Sequence, residues 1–320
     1  MRLVFLGSGA FGLPTLQALA REHNVLAVVS QPDKPAGRGM KLTPTPIAQW
    51  AADNLPGVPL HKPADINEPS IRDTLRALNA DAWVVIAFGQ KLGQPLLDGV
   101  FAINLHASLL PRWRGAAPIN AAILAGDETT GNSVITLADR MDAGLILGTS
   151  TRPIEPTQTA GELHDALSAD GPSLVLEVLH RKSLGSLDQL KQDESKVTKA
   201  RKLSRTDGVL DFAHTATALR CKTHGLTPWP GVTVTLHHQL SLSPPPPVQL
   251  KLLRVIEADE THSPRVQPGE FIDVAKGLVA CGDGTTLQLL DVQPAGSKPM
   301  LWEAFIRGAG RGLAPGARLA

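Results

Sequence analysis

Apolar positions in the first 190 residues fall into short continuous runs, at 3–6, 25–29, 83–88, 101–105 and 133–137, of the kind that buried strands require. Between these runs, residues 14–21, 47–54, 71–78, 119–124 and 160–179 space their apolar side chains three or four apart, which predicts helices. Strand and helix in alternation imply right-handed βαβ units and an open parallel sheet, with a ligand crevice beyond the carboxyl ends of the strands. After residue 190 the pattern changes. A helix at 213–222 precedes short strands at 232–236, 248–253, 278–281 and 286–290, each bounded by Pro, Gly or Asp, predicting a small, mostly β barrel or sandwich. Prolines cannot donate ladder hydrogen bonds, so 243–248 is expected to be a stiff exposed loop. The glycine-rich end of the chain offers little apolar surface and is expected to be flexible.

Composition narrows the class. Apolar residues make up 42% and charged residues 19% of 320 positions, ordinary for a globular chain of two domains. No apolar run approaches the roughly 20 residues that span a bilayer, so no membrane association is expected, and residues 1–7 read as a strand rather than a signal peptide. Two cysteines, Cys221 and Cys281, lack the spacing of a disulfide framework or zinc site and fit a reducing cytoplasm. The net charge of +1 is unevenly spread. Residues 1–190 carry 15 Lys and Arg against 18 Asp and Glu, whereas 191–320 carry 16 against 12. Six basic residues lie in 191–205, a polar stretch that reads as an interdomain linker. Beside a basic second half, a polyanion such as RNA competes with the plainer reading of a solvated connector.

Two motifs bear on chemistry. Gly7-Ser8-Gly9-Ala10-Phe11-Gly12 follows a predicted strand and matches a dinucleotide-binding turn, with Asp33 near the position of a ribose-binding acid. Pro14 and the Asp33 to Gly39 loop do not resemble a ribose clamp, so a tight turn without a nucleotide is favoured. Asn104 and His106 sit at the end of the strand predicted over 101–105. Alternate strand residues share a face, so an amide donor and a titratable imidazole can enter one cleft, with Asp142 available as a carboxylate. Acyl or formyl transfer needs a donor for a developing oxyanion, a proton carrier and an orienting carboxylate. This set supplies all three without metal-ligand spacing. Arg112 and Arg114 have surface pairing as their default role, and Trp229, between Pro228 and Pro230, is expected in the barrel core.

These residues, with 31–39 and 44–46, 108–118, 141–144, 192–195, 202–204, 228–230, 282–284 and 293–296, make the chain resemble the methionyl-tRNA formyltransferases, a branch of the folate-dependent formyltransferases. The resemblance implies a Rossmann-like α/β formyltransferase domain over 1–189, a basic linker over 190–206, an OB-fold-type tRNA-binding domain over 207–308 and a flexible tail over 309–320. It implies formyl transfer from 10-formyltetrahydrofolate to the α-amine of initiator methionyl-tRNA, by a cytoplasmic monomer that uses no metal. Asn104, His106 and Asp142 match the catalytic positions. Phe88, Gly89, Ser108, Leu109, Leu110 and Pro111 are implied to bind folate, and Lys34, Arg38, Lys41, Arg201 and Lys202 to bind tRNA. Asn104, His106, the 108–111 run and Asp142 are shared with formyltransferases acting on small amines, which leaves such an acceptor as the alternative. A non-catalytic RNA-binding protein is the third reading, disfavoured by the intact triad. One departure is evident: after Gly144 the family continues Leu-Asp-Thr-Gly, where this chain has Leu145-Ile146-Leu147-Gly148.

Overall fold

A computed structural model describes the chain apart from Arg38, residues 239–245, Pro264 and Pro315, and the side chain of Ala36. Residues 243–245 of the proline loop expected at 243–248 therefore lie outside the described residues. The chain forms two compact units: Met1–Gly115 with Thr130–Arg152 and His164–Lys199, and Ala116–Thr129 with Pro153–Leu163 and Ala200–Ala320.

The first unit is built on a seven-stranded sheet of β1 (Arg2–Gly7), β2 (Asn24–Val29), β3 (Leu60–His61), β4 (Ala82–Ile86), β5 (Ala102–His106), β6 (Thr129–Thr136) and β7 (Ile146–Pro153), in the order β7-β6-β5-β4-β1-β2-β3. Strands β3, β2, β1, β4 and β5 pair in parallel. The expected parallel sheet becomes mixed at β6, which runs antiparallel to β5. Leu3, Val4, Phe5 and Leu6 have no exposed surface, so both faces of β1 are covered, which is why its sequence shows no alternation. Helices Leu13–Glu22, Pro46–Asn54 and Pro69–Ala77 each carry Pro in the first turn, where a missing N–H costs nothing. From β1 the chain winds outward through β2 to β3, then returns to β4 on the other side of β1. The crevice beyond the β1 and β4 carboxyl ends is thus the topological switch point.

In the second unit, β8 (Val232–His237), β9 (Val248–Ala258), β10 (Phe271–Asp273), β11 (Leu278–Ala280), β12 (Thr286–Pro294), β13 (Met300–Leu301) and β14 (Arg318–Leu319) form an antiparallel, barrel-like sheet in the order β10-β11-β12-β9-β8-β14, with β13 beside β12. Glu270 bridges Arg318 and the Phe271 N–H donates to the Ala317 carbonyl at 3.0 Å, which joins the two edges. Within the segment expected to form the tail, residues 317–320 close the barrel. Ala317 and Leu319 are buried, and the main chains of Thr235 and Ala320 exchange two hydrogen bonds, so the residues that cover the edge are few but fully used. Replacing Leu319 with Ala is expected to lower unfolding free energy by about 2–5 kcal/mol, the range for a buried leucine, measured by urea titration.

Trp229 also departs from expectation, with 53% of its surface exposed. The aromatic core is Phe271 stacked on Trp302, their centroids 5.3 Å apart, with Phe305 beside them. Cys221 and Cys281 are buried and form no disulfide, and burial pushes the Cys281 thiol up to about 12.

His224 is fully buried, and its Nε2 accepts the Val255 N–H at 3.1 Å. Burial, then the charges of Arg220 and Arg254, lower its pKa from 6.5 to about 4. Because the folded protein binds this proton more weakly than the unfolded chain, the stabilisation is complete above pH 6.5 and is lost as pH falls towards 4. The loss amounts to about 3 kcal/mol. Urea titrations across that window should show it in the wild type and a correspondingly flatter profile in His224→Gln, which can still accept from Val255.

Candidate active site

Asn104 and His106 project from one face at the carboxyl end of β5, opposite Ile135 and Ser133 of β6. His106 is only 7% exposed. Its Nε2 lies 2.9 Å from the Trp113 carbonyl; a carbonyl only accepts, so Nε2 carries a proton. Nδ1 then faces Asp142, whose Oδ1 is 3.7 Å away. The other carboxylate oxygen, Oδ2, accepts the Gly115 N–H at 2.8 Å. Asp142 thus has one oxygen fixed by the backbone and one turned to the imidazole. The Asn104 amide is half-buried and, among the described residues, has no hydrogen-bonding partner. A donor held on a strand without a partner is suited to a ligand oxygen.

The loop that carries Asp142 is fixed by close packing. A side chain at Gly144 would put Cβ 1.6 Å from the Thr136 carbonyl oxygen, so only glycine fits, and the Leu145 N–H donates to Thr136 Oγ1 at 2.9 Å. Asp142 and Trp113 hold left-handed φ values of 55° and 62°, tolerable for Asp but strained for the bulky indole. The departure at Ile146 and Leu147 is absorbed by burial. Ile146 packs with Leu110 and Ile135 in an apolar cluster, and Leu147 is 3% exposed, positions where an acid and a hydroxyl would need partners.

The residues implied to bind folate have unequal access. The Phe88 ring is buried in the core, and its carbonyl accepts from Ser8 Oγ and Gln31 Nε2. Ser108 is fully buried, with Oγ donating to the Arg112 carbonyl at 2.6 Å and its own carbonyl accepting from Ser133 Oγ at 2.7 Å. Leu110 is buried, while Leu109 and Pro111 are half-buried and Gly89 is exposed. Of the residues implied to bind folate, Gly89, Leu109 and Pro111 are therefore the ones with accessible surface. Two of the three glycines in the turn at 7–12 are required by packing. A Cβ at Gly7 would lie 2.9 Å from the Ile86 carbonyl oxygen, one at Gly12 would lie 3.1 Å from the Ile86 side chain, and Asp33 is paired with Lys62 at 2.7 Å. Among the described residues, no group of three or more His, Cys, Asp or Glu is placed to hold a metal ion.

Lys34 and Lys41 are exposed on a hairpin pairing Lys34–Ala36 with Lys41–Thr43; Arg38 lies outside the described residues. Arg201 is engaged by both carboxylate oxygens of Asp207, which its guanidinium holds far below the usual carboxylate range. Lys202 is exposed.

Residues 190–199, expected to be part of a solvated linker, belong to the first unit. Gln192 is 6% exposed. Its Nε2 donates to the carbonyls of Asp142 and Gly144, both at 2.8 Å, while its Oε1 accepts Arg114 Nε at 2.9 Å. Glu194 accepts from Arg114 and Arg140, and these guanidiniums, Arg114 first, hold its carboxyl below the usual range. An uncharged Gln inside a charged run gave no periodic signal of burial.

Residues 1–179 match the formyl transferase family, and residues 202–310 match the formyl transferase C-terminal domain. The chain belongs to the formyl transferase family. It is 40% identical over 311 residues to methionyl-tRNA formyltransferase of Methylococcus capsulatus, covering 96% of both chains, and 38% identical to that of Bacillus licheniformis, covering 97% of this chain and 95% of the other. Among solved structures, WlaRD, a sugar 3N-formyl transferase crystallised with dTDP and 5-N-formyl-THF, superposes with a TM-score of 0.65 at 15% identity over 93% of this chain and 99% of that one. HypX from Aquifex aeolicus in complex with tetrahydrofolic acid gives 0.60 at 16% identity, covering 98% of this formyltransferase and 48% of HypX. At such identities the structural likeness shows the fold. No helix among the described residues is long and apolar enough to cross a membrane.

Proposed function

We propose that this formyltransferase moves a formyl group from 10-formyltetrahydrofolate to the α-amine of methionine esterified to initiator tRNA, as a cytoplasmic monomer serving translation initiation. The observation that carries this reading is similarity to methionyl-tRNA formyltransferases along 96% of both chains, which includes the basic second half as well as the shared chemistry.

Bound at the crevice, the folate supplies an electrophilic formyl carbon. The unpartnered Asn104 amide fits that group, and the exposed backbone at Gly89 with Leu109 and Pro111 would flank it. Asn104 donates its N–H to the formyl oxygen, more strongly as negative charge develops there. An α-amine has a reference pKa of about 8, and less when its carboxyl is esterified, so little basicity is needed to expose its lone pair. His106, with Nε2 tied to the Trp113 carbonyl, would take the amine proton at Nδ1 as the new bond to the formyl carbon forms and return it to the folate nitrogen as that nitrogen's bond to the formyl carbon breaks. The free Oδ1 of Asp142 stabilises charge on that imidazole. The exposed lysines at 34, 41 and 202 are offered to phosphates. Affinity for tRNA should then fall steeply with salt.

A small-amine acceptor is the competing reading, since WlaRD shares the fold and is named a sugar formyl transferase. Rates of formyl transfer to methionyl initiator tRNA and to a dTDP-linked amino sugar, with 10-formyltetrahydrofolate as donor, separate the two. Transfer to the tRNA alone supports the proposal, and transfer to the sugar alone would replace it.

A further inference from the structure

We infer that residues 192–198 form a positioning strap for the His106–Asp142 pair, with Gln192 and Thr198 as its anchors. Each end of the strap holds one of the two groups against which the imidazole is set.

At one end, Thr198 grips the peptide that orients His106. The Trp113 N–H donates to Thr198 Oγ1 at 2.8 Å, and the Arg114 N–H donates to the Thr198 carbonyl at 3.0 Å. The Arg114 N–H and the Trp113 carbonyl belong to one planar peptide group. Fixing that N–H therefore fixes the carbonyl that receives His106 Nε2 at 2.9 Å. At the other end, the Gln192 amide donates to the carbonyls of Asp142 and Gly144 and sets the loop from which Asp142 reaches Nδ1. Arg114 joins the ends, since its backbone is held by Thr198 and its Nε by Gln192. Glu194 ties Arg114 to Arg140, two residues before Asp142.

The backbone shows why a strap is needed. Trp113 and Asp142 both have left-handed φ, and such conformations persist where the surroundings over-determine them. Both are hydrogen-bonded to the strap, Trp113 as donor to Thr198 and Asp142 as acceptor from Gln192. The strap touches neither substrate nor reacting atom, so Gln192 and Thr198 are positioning residues.

The test compares wild type with Gln192→Leu, which removes two donors and an acceptor at similar volume, and Thr198→Val, which removes only the hydroxyl. Formyl transfer to methionyl-tRNA gives kcat and KM for both substrates. Nitrogen-15 spectra of histidine-labelled protein, assigned with His106→Gln, report the two ring nitrogens of His106. Thermal melting reports folding. A displacement near 1 Å can cost about 100-fold, so kcat should fall about 10- to 100-fold with KM within about threefold in folded variants. The spectra should show a shifted Nδ1 in Gln192→Leu and a smaller change at Nε2 in Thr198→Val, which frees the Trp113 N–H but keeps the main-chain bond from the Arg114 N–H to the residue 198 carbonyl. Unmoved His106 signals, with kcat unchanged or reduced only in proportion to lost folded protein, would overturn the strap. The inference rests on the proposed reaction for its kinetic arm alone. A wild type inactive on methionyl-tRNA would refute that reaction, while the spectra would still decide the strap.

Discussion

Asn104→Ala should lower kcat by about 100-fold or more, equivalent to about 2.7 kcal/mol of lost transition-state stabilisation. Its amide makes no hydrogen bond to the described residues, so truncation breaks no internal bond and leaves no buried partner behind. Stability should change little, and the loss should appear in kcat because the donor is used most fully as charge develops on the formyl oxygen. Asn104→Asp should be worse than Ala despite its similar shape, since a carboxylate would face the oxygen where negative charge gathers. Steady-state kinetics with tRNA affinity measured separately checks both. Equal activity of Asp and Asn at this position would remove the amide from the mechanism.

Asp142→Asn should reduce kcat by about 100- to 1,000-fold, within the range associated with positioned proton carriers. The replacement can keep its bond from Gly115 N–H through the amide oxygen, so the loop is preserved. What changes is the atom facing His106 Nδ1, which becomes an uncharged amide donor. Charge on the imidazole then has no counterpart, while binding of either substrate should change less than about threefold. Single-turnover rates at saturating donor and acceptor distinguish this outcome from a binding defect. A kcat within twofold of wild type would assign Asp142 a purely structural role.

Much of the fold was legible because burial on both faces writes itself as continuous apolar strands, as at Leu3 to Leu6. Alternation along β5 also placed Asn104 and His106 on one face. Other features depended on contacts remote in sequence. Strand β7 begins with apolar Ile146 and Leu147 but continues through polar residues, so it carries no sustained strand pattern. Ala317 and Leu319 close the barrel with two small buried surfaces and backbone pairing, and neither has a periodicity to detect. Trp229 was misplaced because large aromatic area favours burial on average, yet Trp302, Phe271 and Phe305 already fill that core. Gln192 was hidden in a charged run because its burial serves polar bonds to Asp142, Gly144 and Arg114 rather than apolar contact. The same run suggested a linker, whereas hydrogen bonding fixes its first half beside the loop that carries Asp142.

The position of the transferred group tests the central claim most directly. The enzyme would be given methionyl initiator tRNA and donor labelled in the formyl carbon; the tRNA ester would then be hydrolysed in alkali and the amino acid recovered. The account predicts the label as N-formylmethionine, with the formyl group on the α-nitrogen. Label released as formate, with unmodified methionine recovered from the tRNA, would contradict it.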